Sequence, residues 1–64
     1  MKANIKFVRK YSLGINTVYE AVYESGRVFS YYNDNVSKPV KRFMESKAPK
    51  KQLDTYHGVE YIYS

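Results

Sequence analysis

Apolar and polar residues alternate at the start of this chain and take up helical spacing only later. In ANIKFVR, from Ala3 to Arg9, Ala3, Ile5 and Phe7 fall on one side. Asn4, Lys6 and Val8 fall mostly on the other, the period-two pattern of an amphipathic strand. KYSLGIN follows, with Gly14 and Asn16 as turn-forming residues. TVYEAVYESGRVFSYY then gives two β-rich runs on either side of Ser25-Gly26, the pattern of a hairpin. A two-residue loop (Ser25-Gly26) and a four-residue loop (Glu24 to Arg27) both place Tyr23 opposite Val28. That register sets Val22 against Phe29, Glu20 against Tyr31 and Glu24 against Arg27 on one face. The other face then carries Tyr23–Val28, Ala21–Ser30 and Tyr19–Tyr32, and a helix over one face leaves several tyrosines on the opposite one.

The period changes after Asn33-Asp34-Asn35, three turn residues. Ser37 is a good N-cap, and Pro39 falls in the first turn, where a missing N–H costs little. The helix is expected to run to Ser46 or Lys47, because Pro49 disfavours α geometry at Ala48. Val40, Phe43, Met44 and the stem of Lys47 share one face. KKQLDTYHG reads as one further helical turn ending at Gly58. In VEYIYS, Val59, Tyr61 and Tyr63 alternate with Glu60 and Ile62 as a final strand. The fold expected for residues 1–64, taken as one domain, is α+β. It has a three- or four-stranded antiparallel sheet with one short helix packed on one face. Its core should contain Ile5, Phe7, Val22, Phe29, Val40, Phe43 and Met44, and Val18 and Ile62 are further candidates for it.

Composition adds a constraint on stability. A domain of 64 residues buries only about 60% of the surface its unfolded chain exposes. Cysteine is absent, which excludes a disulfide-stapled secreted domain and a thiolate metal site. There are eight Tyr, three Phe and no Trp, so most aromatic area carries a hydroxyl that needs a partner or water. Such rings suit half-buried sheet faces and interfaces. Lys6, Arg9 and Lys10 interrupt any signal-peptide core, and no run approaches the about 18 apolar residues of a membrane span. The expected location is the cytoplasm, or the host cytoplasm if the protein is viral.

The formal net charge of +5 is unevenly spread. Lys2, Lys6, Arg9 and Lys10 crowd the N-terminal segment. Lys38, Lys41, Arg42, Lys47, Lys50 and Lys51 face a single acidic residue, Glu45, in the segment from Ser37 to Lys51. The other segments are slightly acidic. This asymmetry favours a polyanionic partner, although a short helix is also left with a basic side once its apolar face has packed.

The chemistry of catalysis is poorly represented. His57 follows Asp54 by three, and a helical turn would align them as base and orienter, but a turn histidine at a helix end is the plainer reading. Glu20 and Glu24 share a strand face, with Arg27 as the natural partner of Glu24. His57, Asp54 and Glu60 have no metal-ligand spacing, and Gly14, Gly26 and Gly58 are isolated from one another. No enzyme, cofactor or metal is expected.

Nucleic-acid binding is the specific reading that the residues support best. Lys38, Lys41, Arg42, Lys47, Lys50 and Lys51 would contact phosphates, while Tyr19 and Tyr32, with Tyr23 and Tyr31, would offer stacking surfaces. Lysine acts as a point charge, so binding without strong sequence specificity is implied. The competing class is a protein-binding module, since exposed Tyr and Arg dominate interface hot spots. An edge strand also offers a route to a homodimer.

Ser25-Gly26, Val28, Phe29, Tyr31, Tyr32, Val36, Pro39, Val40, Phe43 and Ser46 form a pattern of hairpin, aromatic strand end and proline-opened helix. Over residues 18–48 this resembles the small KTSC domain. KAPKKQLDTYHG stands where that family has a glycine and aromatic segment. The resemblance implies a small α+β domain, and the family's fusion to a tRNA synthetase points toward RNA. The Lys-, Asn- and Tyr-rich, cysteine-free composition is similar to that of small accessory proteins of tailed phages. Many of those inhibit or redirect a host protein, and the alternative function is of that kind.

Overall fold

The computed structural model describes residues 4–54 and 58–64. Strand β1 (Ile5–Leu13) turns into β2 (Asn16–Tyr23), which turns into β3 (Val28–Tyr32). Helix α1 (Lys38–Glu45) crosses to β4 (Pro49–Asp54), and β5 (Gly58–Tyr63) completes the sheet. All neighbours are antiparallel and the strand order is β3-β2-β1-β5-β4. The α+β class with one short helix is as expected, but there are five strands rather than three or four.

The additional strand is β4. PKKQLD has no β-branched or aromatic residue and reads locally as helix. Its pairing with β5, from Pro49–Tyr63 to Asp54–Gly58, decides its conformation instead. His57, Lys2 and Ala3 lie outside the described residues, and Asp54 ends a strand rather than continuing a helix.

The two hairpins show how loop parity sets faces. Gly14, at φ 63°, is the first residue of the Gly14-Ile15 loop that places Leu13 opposite Asn16. Glycine at this position suits a two-residue hairpin turn. Asn16 therefore opens β2 instead of belonging to the turn. In the second hairpin Gly26 N–H donates to the Tyr23 carbonyl and Tyr23 N–H to the Arg27 carbonyl, both at 2.9 Å. The loop is Glu24-Ser25-Gly26, three residues long, with Gly26 at φ 94°. An odd loop overturns the even-loop register: Val22 pairs with Val28, Ala21 with Phe29, Glu20 with Ser30, Tyr19 with Tyr31 and Val18 with Tyr32. Glu24 is not paired with Arg27; it accepts from Asn4 Nδ2 at 3.4 Å.

A second parity change lies in β1. Ile5 pairs with Tyr23 and Phe7 with Val22, so Lys6 is the extra residue of a bulge. Ile5 and Phe7 consequently sit on opposite sides of the sheet. Register partners share a side, and the helix lies over the side carrying Ile5, Val8, Ala21, Tyr23, Tyr31 and Tyr63. Val8, Ala21 and Val40 are fully buried there, joined by Val36, Phe43 and Met44. Fully burying a valine is worth roughly 1.5–3 kcal/mol.

Val40, Phe43, Met44 and Ile5 thus take their expected places. Phe7 and Val22 belong to the opposite side, and Phe29 is 45% exposed, its ring meeting Tyr23 edge-on at 5.4 Å. Most described tyrosines are under or beside the helix, the reverse of the expected distribution. Val18, only 1% exposed, is buried on the side without the helix, where its partners are Tyr11 and Tyr32.

Ser37 occupies the N-cap without capping: its hydroxyl donates to the Tyr31 hydroxyl at 3.3 Å. The helix ends at Glu45, before the expected Ser46 or Lys47. Ser46 N–H bonds back to the Arg42 and Phe43 carbonyls, and its hydroxyl to the Phe43 carbonyl at 2.8 Å. Pro49 therefore opens β4 rather than stopping the helix.

Candidate nucleic-acid interface

The two sides of the sheet differ in charge chemistry. On the side without the helix, Arg9 Nε donates to Glu60 Oε1 and Arg9 Nη1 lies 3.5 Å from Glu20 Oε1. Glu60 is 6% exposed, so it depends on this partner. The Tyr11 hydroxyl donates to Glu20 Oε2 at 3.1 Å, and the Arg9 guanidinium carbon lies 5.7 Å from the centre of the Tyr11 ring. The Glu60 hydrogen bond holds Arg9 above its ordinary value, against partial desolvation. Desolvation raises Tyr11, and the bond to Glu20 adds to it. Two carboxylates thus answer one guanidinium, and Arg9 is committed within the fold.

The helix side is cationic. Register places Tyr31, Tyr19, Lys10, Tyr61 and Lys51 in one row across all five strands, from β3 to β4. The Lys10 ammonium lies 5.8 Å from the Tyr19 ring centre and 6.0 Å from that of Tyr61. Ammonium groups are attracted to ring faces at this range. Tyr61 is 37% exposed and Lys51 is exposed. Beside the row, Tyr19, Asn33, Asp34, Val36, Lys41 and Met44 line a cleft of about 200 Å³ between helix and sheet. Asp34 adds an exposed acidic group to this lining.

Of the residues expected to bind, Tyr19 and Lys41 meet at this cleft, and Lys51 lies in the same row as Tyr19. Tyr32 and Lys50 face the opposite side, so Tyr19 and Tyr32 do not form one platform. Lys38 and Arg42 are exposed on the helix, and Lys47 holds its ammonium 5.2 Å from the centre of the Phe43 ring. Lys10 and Tyr61 were not anticipated as site residues. The alternation of Tyr61 was legible, but placing Lys10 beside it required the bulge and the β1–β5 pairing.

No group of three His, Cys, Asp or Glu that could hold a metal occurs among the described residues. No helix among them is long and apolar enough to cross a membrane. No protein-family model, curated protein or solved structure matches this chain.

Proposed function

We propose that this chain is a small non-enzymatic module that binds a polyanion through the helix side of its sheet, with nucleic acid as the first partner and an acidic protein surface as the second. The observation that carries this reading is Lys10 held between the Tyr19 and Tyr61 rings, in a row that ends at Lys51. Cations spaced along a groove with aromatic faces between them suit an unpaired strand, whose phosphates and bases alternate in the same way. Lys41 beside Tyr19, and Lys38 and Arg42 on the adjoining helix surface, extend the positive field. The contacts are to backbone charge, so binding is tolerant of sequence and steeply dependent on salt. The KTSC-like pattern of residues 18–48 leans the same way, toward RNA.

The test is fluorescence anisotropy of labelled single-stranded RNA and DNA oligonucleotides, titrated with the protein at several salt concentrations. The expected result is an association constant that falls as salt rises, with little difference between sequences. Absence of binding at low salt would overturn the reading.

A second reading, a phage-type accessory protein acting on a host protein, is favoured by the exposed Val28, Phe29 and Tyr32 of β3. Recovery of one stoichiometric protein from a nuclease-treated lysate would favour it over nucleic acid.

A further inference from the structure

The two edges of the sheet are built differently. Edge strand β4 opens with Pro49, which has no N–H to offer, and continues with two exposed lysines, Lys50 and Lys51. Such features discourage a further strand from adding. Edge strand β3, VFSYY, carries no charge and no proline. Val28, Phe29 and Tyr32 are respectively 54%, 45% and 47% exposed.

The backbone of β3 is also available. Asn33 N–H donates to the Thr17 carbonyl at 2.8 Å and Tyr23 N–H to the Arg27 carbonyl at 2.9 Å. These bonds mark the hydrogen-bonded pairs of the β2–β3 ladder, which alternate along antiparallel strands. Phe29 and Tyr31 therefore direct their backbone groups to β2. Val28, Ser30 and Tyr32 direct theirs outward, past the sheet; the Tyr32 carbonyl already accepts from the Asn35 N–H at 3.1 Å and keeps a second lone pair to offer.

We propose that β3 pairs antiparallel with β3 of a second copy, about a two-fold axis at Ser30, to give a continuous ten-stranded sheet. The outward-facing residues must form the new hydrogen-bonded pairs, which restricts the register. The one centred on Ser30 matches Val28 with Tyr32, Phe29 with Tyr31 and Ser30 with itself. Aliphatic–aromatic and aromatic–aromatic pairs of this kind stabilise antiparallel strands. The strand ends are complementary as well. Arg27 precedes β3 and Asp34 follows it, so antiparallel pairing brings Arg27 of each copy toward Asp34 of the other. The two-fold axis is perpendicular to the sheet, so both helices lie on one side. The occupant is a second copy because this edge complements itself.

The chain has no cysteine, so Ser30→Cys supplies a single thiol. Facing residues of a hydrogen-bonded antiparallel pair have Cα atoms about 5.5 Å apart, within the range of about 4.4–6.8 Å that a disulfide spans. Mild oxidation is expected to link Ser30→Cys into a covalent dimer much faster than the loop variant Ser25→Cys. Light scattering of the unmodified protein should show a mass rising with concentration from 7.6 kDa toward twice that value. Val28→Lys, or Tyr32→Lys if the first does not fold, should hold the mass at the monomer value with an unchanged circular dichroism spectrum. A monomeric mass up to the solubility limit would overturn the proposal and leave the edge to a strand from another protein. Equal linking rates for Ser30→Cys and Ser25→Cys would equally overturn it.

Discussion

Arg9 and Lys10 are neighbours on β1, yet they serve opposite sides of the sheet: Arg9 is bound to Glu60 and Glu20, while Lys10 stands between the rings of Tyr19 and Tyr61. Sequence places them together as two units of positive charge. The fold ties the first to two carboxylates and sets the second against two aromatic rings, with no carboxylate paired to it among the described residues.

Their substitutions should therefore separate. Lys10→Ala is expected to weaken oligonucleotide binding and to reduce the slope of log K against log salt by about 0.7 on a single strand. Lys51→Ala should act similarly. Lys50→Ala, on the other side of the sheet, should leave the slope unchanged. Anisotropy titrations at four or five salt concentrations measure all three, and an effect of Lys50 equal to that of Lys10 would contradict the assignment of sides.

Arg9→Met leaves the Glu60 carboxylate buried without its partner. A loss of about 1–3 kcal/mol is expected in urea denaturation, less than for a fully buried pair because Arg9 itself is 36% exposed. The double variant Arg9→Met/Glu60→Leu should recover much of that loss, since removing both charges removes the desolvation cost as well.

Tyr11 supplies a pH dependence. Desolvation and the Glu20 contact raise its value in the folded state, while the unfolded chain ionises near the ordinary value of about 10. The folded state thus favours the neutral phenol. That stability is fully present below about pH 10 and is lost as pH rises through the folded value. As pH rises above about 10 the unfolding free energy of the wild type should fall more steeply than that of Tyr11→Phe. Coincident slopes would show that Tyr11 contributes nothing to this loss.

Val40 is fully buried beneath the helix. Val40→Ala should cost about 1–3 kcal/mol through lost transfer energy and the cavity left behind. In a domain whose net stability is only about 3–5 kcal/mol, thermal melts should show the midpoint lowered by about 4–8 °C for each kcal/mol lost. Val28→Ala, at an exposed position, should shift the melt far less.

The helix was legible because its apolar face, proline-bearing first turn and following polar exit agree with one another. The β5 alternation was legible for the same reason. What escaped were the parities. Nothing local decides whether ESGR closes with an even or an odd loop; the left-handed Gly26 makes it odd and moves Phe29 from the expected core to a position opposite Ala21. The bulge at Lys6 exchanges the sides of Phe7 and Val8 for similar reasons. Each change flips every side chain beyond it. Tyr32 therefore left the side of Tyr19, Lys50 and Lys51 parted because residues 50–54 pair with β5 as a strand, and Lys10 entered only once the strand order was known.

The seam between β1 and β5 extends only over Val8–Tyr63, Arg9–Ile62 and Lys10–Tyr61. On one side lies a three-stranded meander; on the other lies the β4–β5 hairpin, tethered through α1. The Arg9–Glu60 bond fastens this seam from one surface and the Lys10–Tyr61 contact from the other. The sheet is thus joined along a line shorter than the β1–β2 ladder, and amides on that line should exchange with solvent at lower free energy than those between β1 and β2. A phosphate that draws Lys10 away from Tyr61 would loosen one of the two fasteners, so occupancy of the surface would be felt as mobility in the β4–β5 hairpin.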